Sequence, residues 1–221
     1  CVYRFLDGVI VLSETAKRKL SHTNKNIIII PNSLSFPPIQ EYVKREKSII
    51  MVGRISQEKG YDRVVPIAKH LREKYPDWRI EVCGDGPDRA MIQSLYHSEG
   101  LDEYVHMKGN VVDIREKYLQ SSILMLTSYT EALPMVIVEA KACGVPTVGY
   151  ECEGVNELIS DGADGFIIPD NNDEVFALQL ARMIESEELL ERMAKQALNN
   201  SYLFSLDKIR MLWLSLFQKK N

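Results

Sequence analysis

The sequence predicts an α/β protein: a Rossmann-like, doubly wound parallel sheet of about six strands followed by a helical C-terminal tail. Two observations carry this reading. Short apolar runs alternate with helical patterns along most of the 221 residues. Those runs are apolar throughout rather than at every second position, as in strands covered on both faces. Strand–helix alternation then calls for right-handed crossovers between parallel strands.

The first forty residues keep this rhythm least well. Val9–Leu12 reads as a strand, Ser13 as the N-cap of a short helix running to Leu20, and Ile27–Ile30 as a second strand. Pro31-Asn32, then Pro37, Pro38 and Lys44–Lys47, have linker character, so the residues up to about Leu20 read as the end of a preceding domain. The main sheet is expected at Ile49–Val52, Arg79–Cys83, Val105–Met107, Ile123–Leu126, Val145–Gly149 and Phe166–Ile168. Helices are expected near Tyr61–Tyr75, Asp88–Glu99, Ile114–Leu119, Pro134–Cys143 and Asn156–Ser160. Asp173–Asn200 reads as two helices rich in Glu and Leu, and Leu206–Phe217 as a third. In that last helix Ile209, Leu212, Trp213, Leu216 and Phe217 share a face too apolar to be left wet.

Composition narrows the function. Lys plus Arg number 27 against 31 Asp plus Glu, a net charge of −4, which argues against a broad basic face for nucleic acid or anionic lipid. The longest purely apolar runs, such as Ile27–Ile30 and Ile123–Leu126, are far too short to span a bilayer. Cys1, Cys83, Cys143 and Cys152 lack metal-site spacing and read as reduced thiols of a cytosolic protein. With no initiator Met and no signal-peptide pattern, the chain reads as part of a longer one.

Ligands of open parallel sheets bind beyond the carboxyl ends of the strands. Here those exits collect glycines and charges: Gly53-Arg54 with Lys59-Gly60, Gly84-Asp85-Gly86-Pro87, Gly109-Asn110-Val111, Thr127 to Pro134 with Glu131, and Tyr150 to Asn156 with Gly154. Arg54 and Lys59 offer a fixed guanidinium and a mobile ammonium, which suit a diphosphate approached from two sides; otherwise they are solvated charges paired with Glu58 and Asp62. Gly84-Asp85-Gly86-Pro87 has the form of a nucleotide-binding turn, or of a tight turn only, and Arg89 stands where a GxGxxG motif has its third glycine.

The segment Glu131-Ala132-Leu133-Pro134-Met135-Val136-Ile137-Val138-Glu139 is the most informative. Pro134 pre-organises a first helical position, leaving Glu131 in the preceding loop and Glu139 about 7–8 Å along the helix at about 1.5 Å per residue. Between them the free amides of Leu133 to Val136 lie at the positive end of the helix dipole, where a phosphate belongs. The two carboxylates repel a phosphate at contact distance and suit neutral hydroxyls on either flank, such as a sugar and a ribose. The competing reading makes Glu131 a loop charge and pairs Glu139 with Lys141 or a backbone amide.

Taken in order, Gly53-Arg54 with Lys59-Gly60, Gly84-Asp85-Gly86-Pro87, the Glu131-x7-Glu139 pair, Ala142-Cys143-Gly144-Val145-Pro146, and Gly154 with Glu157 resemble the C-terminal, nucleotide-sugar-binding half of a GT-B glycosyltransferase of the retaining family 4 (group 1) kind. Asp7-Gly8-Val9-Ile10-Val11-Leu12-Ser13 and Ile30-Pro31-Asn32 resemble that family's interdomain crossing, so the likeness covers nearly the whole chain. It implies three parts: residues 1–26 as the end of an N-terminal domain and interdomain segment, 27–205 as the nucleotide-sugar-binding domain, and 206–221 as a helix crossing back to an N-terminal domain.

The resemblance also implies roles. Arg54, Lys59 and Glu131 are the catalytic candidates: the two cations hold the donor diphosphate and stabilise the leaving nucleotide, and Glu131 binds hydroxyls of the transferred sugar. Glu139 takes the ribose hydroxyls, and Leu133, Met135 and Val136, beside Pro134, offer amides to phosphate. Gly53, the Gly84–Pro87 turn and Asn110, Val111 and Val112 complete the donor site around the base. No metal or other cofactor is implied. The donor is a nucleoside-diphosphate sugar, UDP first, and the acceptor a glycan or lipid-linked glycan held by an N-terminal domain. Polysaccharide biosynthesis in the cytoplasm, at the inner face of the membrane, follows from the same likeness.

Departures from the family pattern are Ser33 for a usual Gly, Ala132 for a usual Gly after the first Glu, and Glu153 before Gly154; the last two bear on the fit at the sugar. His22, His70, His97 and His106 read as surface or core histidines. No DxD follows a strand, and HExxH, GxxxxGK[ST] and GxSxG are all missing from the sequence. The alternatives carried forward are a non-catalytic nucleotide-sugar subunit that partners a separate acceptor-binding chain, and a GT-B-like sugar epimerase; a phosphorylase should carry a pyridoxal-phosphate lysine motif, which the sequence lacks.

Overall fold

The computed structural model describes residues 2–218. Its centre is a six-stranded, all-parallel sheet built from β3 (Ser48–Val52), β4 (Arg79–Cys83), β5 (Val105–Gly109), β6 (Ile123–Leu126), β7 (Thr147–Tyr150) and β8 (Gly165–Ile168). The spatial order β5-β4-β3-β6-β7-β8 is doubly wound: the chain steps outward one way from β3, returns, and steps outward the other way from β6. The switch between β3 and β6 opens the crevice in which such sheets hold ligands.

Successive residues of each strand enter opposite cores. Ile49, Met51, Ile80, Val82, Ile123 and Met125 pack on one face, while Ile50, Cys83, Leu124 and Leu126 pack on the other. The first face is covered by α2 (Val64–Lys74), α3 (Arg89–Ser98) and α7 (Asp173–Glu185); the second by α4 (Ile114–Gln120), α5 (Met135–Ala142) and α6 (Glu153–Leu158). Burial on both faces is why these strands read as unbroken apolar runs.

Ahead of this sheet, β1 (Val9–Val11) pairs in parallel with β2 (Ile27–Ile29), joined by α1 (Glu14–Leu20), whose N-cap is Ser13 with its hydroxyl on the Ala16 amide. The stretch from 30 to 47 holds no regular element but is pinned across the second core: the Leu34 amide donates to Phe204, the Ile39 amide to Ala142, and Arg45 to the Tyr118 and Cys143 carbonyls. α8 (Glu187–Ser201) packs on α5, and α9 (Leu206–Gln218) follows.

Three expectations need correction. The helix expected at Asn156–Ser160 begins at Glu153, because the Gly154 amide donates to the Glu131 carbonyl and so docks the first turn directly on the β6–α5 loop. The strand expected from Val145 begins at Thr147, because Gly144 and Val145 still close α5 through bonds to the Lys141 and Ala140 carbonyls. The apolar face of α9 is covered only in part: Ile209 is buried and Leu212 and Leu216 half-buried, but Phe217 is 61% exposed and Trp213, stacked on it, is exposed too.

Candidate active site

Where β3 and β4 end, their backbones touch. A Cβ on Gly84 would lie 1.9 Å from the Gly53 carbonyl oxygen, so this approach admits glycine alone. That contact forms one wall of a cleft of about 390 Å³ that gathers Gly53, Arg54, Gly84, Asp85, Asn110, Val111 and Glu139, with Ile114 at its apolar side. Three of the five expected strand exits meet here, joined by residues of α4 and α5; the exits of β6 and β7 do not line this cleft. Lys59, Gly86, Pro87, Val112, Glu131, Leu133, Pro134, Met135 and Val136 do not line the cleft, and Val112 stands free in solvent. Asp85 accepts from its own turn at the Gly86 amide and pairs with Arg89 at 3.1 Å. Arg54 is exposed, and among the described residues no carboxylate lies within ion-pair distance of it.

Glu139 enters this cleft from α5, whose other face is core. Its one protein partner among the described residues is the Tyr118 hydroxyl at 3.2 Å. Burial pushes the Glu139 carboxyl above its ordinary value, and the Tyr118 bond draws it only part of the way back. Tyr118 itself is fully buried and held well above the ordinary tyrosine value, by burial first and the Glu139 charge second, so it remains a donor. The pairing of Glu139 with Lys141 does not occur. Lys141 turns the other way, into a buried pair with Asp164 at 2.5 Å.

Glu131 has a richer shell. One carboxylate oxygen accepts from the Lys59 ammonium at 2.7 Å and from the Ser128 hydroxyl at 2.8 Å, with the Glu131 side chain 9% exposed. The pairing of Lys59 with Glu58 or Asp62 is therefore replaced: Glu58 accepts from Ser56, and Asp62 from Tyr129. An ammonium has three donors, so two remain for a ligand after Glu131 takes one.

The two loops are zipped together along their backbones as well. The Thr127 hydroxyl donates to the Lys59 carbonyl at 3.2 Å, and the Tyr129 amide to the Glu58 carbonyl at 2.9 Å. On the far side, a Cβ at Gly154 would meet the Ala132 oxygen and the Pro134 ring at 2.7 Å, so α6 buttresses the same loop. Past that loop, Leu133, Met135 and Val136 present amides that donate to no protein atom among the described residues, at the positive end of α5.

Tyr118, Ser128 and Thr127 were not singled out from sequence. Each lies on a different element from the residue it serves or carries no charge, and neither spacing nor composition marks it. A larger hollow of about 800 Å³ beside α3 holds none of the residues expected in the site.

A doubly wound parallel sheet in the order β5-β4-β3-β6-β7-β8, with a cleft where its winding reverses, defines an α/β domain of the GT-B type. Residues 35–200 match the family described as Glycosyl transferases group 1, and the chain belongs to that family. It is 31% identical over 211 residues to an uncharacterized glycosyltransferase of Haemophilus influenzae, covering 94% of this chain and 60% of that protein. It is 27% identical over 221 residues to the amylovoran biosynthesis glycosyltransferase AmsD of Erwinia amylovora, covering 96% and 62%. Among solved structures, S. aureus TarM in complex with UDP superposes with a TM-score of 0.88 at 21% identity, covering 98% of this chain and 45% of TarM. HepE of Anabaena in complex with UDP gives 0.87 at 20% identity, covering 99% and 65%. The chain thus spans less than two thirds of these relatives' own lengths. Among the described residues no helix is long and apolar enough to cross a membrane.

Proposed function

We propose that the chain is the donor-binding half of a retaining, family 4 glycosyltransferase, taking a sugar from a nucleoside-diphosphate sugar, UDP first, to a glycan or lipid-linked acceptor held by a further domain. The observation that carries the reading is the sequence of groups along one rim: Lys59 joined to Glu131, then the unbonded amides of Leu133, Met135 and Val136, then Glu139 in the cleft with Arg54. In this reading the sugar hydroxyls meet Glu131, the diphosphate sits on the α5 amides between Lys59 and Arg54, and the ribose meets Glu139. The base lies along Gly84, Asp85, Asn110 and Val111. Charge on the leaving nucleotide is neutralised by the two cations and the helix terminus, with no metal or other cofactor assigned. UDP in the complexes of TarM and HepE, and the biosynthetic role in the name of AmsD, support the choice of donor and of polysaccharide assembly. Work on a cytoplasmic donor at the inner face of a membrane belongs to the same proposal.

Calorimetric titration with UDP-, GDP- and ADP-sugars tests it, repeated with Glu139→Ala. One nucleotide series should bind, and the variant should lose about 10- to 100-fold in affinity, the worth of hydrogen bonds to a charged group. Absence of binding by all three to a folded sample retires the reading.

A further inference from the structure

Arg63 lies on the short 3₁₀ turn just before α2, and no sequence motif draws attention to it. Its side chain is 5% exposed. The guanidinium is sandwiched between two aromatic rings, 3.5 Å from the centroid of Tyr150 and 4.7 Å from that of Tyr129. One nitrogen donates to Asp170 at 2.6 Å, and the other to the Thr127 carbonyl at 3.3 Å. One buried cation therefore touches the exits of three neighbouring strands: β6 through Thr127 and Tyr129, β7 through Tyr150, and β8 through Asp170.

A buried charge is a poor choice for stability alone, since apolar side chains of similar volume often serve as well or better. What a guanidinium adds is direction: a planar fork fixes the bearing of everything it stacks on or bonds to. Here that includes the segment that delivers Glu131. Thr127 is bonded to Lys59 through its hydroxyl and Tyr129 to Glu58 through its amide. A Cβ on Gly60 would lie 2.2 Å from the Thr127 oxygen and 3.1 Å from the Arg63 Cδ, so there is no slack between Arg63, the Lys59 loop and the Glu131 loop.

We infer that Arg63 is a positioning residue for sugar recognition: clamped between Tyr129 and Tyr150, it holds the Lys59 and Glu131 loops in the register that joins their side chains. The inference rests on the proposed donor site, and its test separates the two. Arg63→Met keeps volume and removes the fork; Tyr129→Leu removes one half-exposed face of the clamp and leaves the core untouched. Wild type and both variants are titrated with UDP and with UDP-N-acetylglucosamine, UDP-glucose and UDP-galactose, and the sugar that gives wild type the largest gain over UDP is used.

UDP affinity should fall less than UDP-sugar affinity in both variants, because of the groups that meet the nucleotide only Lys59 is held by the clamp, while Glu139 and Arg54 are not. The gain from the sugar should fall about ten-fold in Arg63→Met and by a smaller factor in Tyr129→Leu, with Arg63→Lys failing to restore it. Equal losses for UDP and the UDP-sugar, or an unchanged gain, overturn the inference while leaving the donor site standing.

A ligand-free arm covers the case in which wild type shows no sugar gain or binds no nucleotide. The energetic coupling of Lys59 to Glu131, read from unfolding equilibria as a factor, should drop at least five-fold in the Tyr129→Leu or Arg63→Met background. An undiminished coupling overturns the inference whatever the ligands do.

Discussion

Replacing Lys59 by Met and Glu131 by Gln, singly and together, measures how firmly the two groups are joined before any ligand arrives. Ammonium and carboxylate stand 2.7 Å apart, with side chains 27% and 9% exposed. At that separation, and at an effective dielectric of about 20, the Coulomb attraction is about 6 kcal/mol. Desolvation of a nearly buried carboxylate offsets much of it, typically by several kcal/mol per ion, and the Ser128 hydroxyl on the same oxygen reduces that loss. The net coupling should come out at about 1–3 kcal/mol, compared with about 0.2–1 kcal/mol for an exposed pair.

The single variants should also be unequal. Lys59→Met leaves Glu131 almost buried with one neutral donor, whereas Glu131→Gln leaves an ammonium that still reaches water, so the first should cost more. Urea unfolding of the four proteins, with matching m-values, gives all the terms. A coupling below about 0.3 kcal/mol, inside the error of additivity, refutes the idea that the pair is built in advance.

Two further substitutions address the other ends of the site. Glu139→Gln should raise the stability of the ligand-free protein by about 0.5–1 kcal/mol at neutral pH while weakening nucleotide binding, the usual trade at a functional carboxyl. The folded-state value of Glu139 is raised, so ionisation costs stability as pH climbs from the unfolded glutamate value through the folded one. Thermal melts of the two proteins should therefore diverge above that window and coincide below it, and parallel curves at all pH values count against the raised value. Gly154→Ala, whose methyl would stand 2.7 Å from the Ala132 oxygen, should cost about 1–3 kcal/mol and weaken binding of the UDP-sugar more than of UDP. A variant with unchanged affinity for both shows that α6 does not support the Glu131 loop.

The architecture was legible because both faces of the sheet are buried, which writes each strand as an unbroken apolar run: Arg79–Cys83 and Ile123–Leu126 stand where expected, to the residue. The same holds for the groups that share one rim, since strand exits must meet at one edge whatever their separation in sequence. Partners chosen across that edge were not legible. Lys59 meets Glu131 across 72 positions, and Tyr118 meets Glu139 across 21, by the accident of which loops face each other. Arg63 looks like any loop cation until Tyr129 and Tyr150 close over it. The start of α6 was obscured because Gly154, a residue that breaks helical patterns, is required there by a neighbouring loop and not by a turn. The wet end of the α9 face, at Trp213 and Phe217, defeated a different rule: an amphipathic pattern says that a face wants cover, not that the chain at hand supplies all of it.

The two carboxylates of the Glu131-x7-Glu139 pair look equivalent in sequence and are opposites in space. Glu131 is matched by a cation and a hydroxyl, so a sugar arriving there finds a charge already neutralised and a geometry already held. Glu139 has one neutral donor and lies in a cleft that Val52, Cys83, Val111 and Ile114 line on its apolar side. Its shell is short of donors, which in the proposed reading the vicinal hydroxyls of a ribose would complete. A group that is under-solvated until its ligand arrives gains more from binding than one already satisfied, because the ligand relieves a burial cost the fold has carried alone. On that ground nucleotide affinity should be set chiefly at Glu139 and the cations, and discrimination among sugars at Glu131, held in place by Lys59 and the buried arginine beneath them. The fold keeps the two carboxylates apart by placing Glu131 in the loop ahead of α5 and Glu139 within the helix.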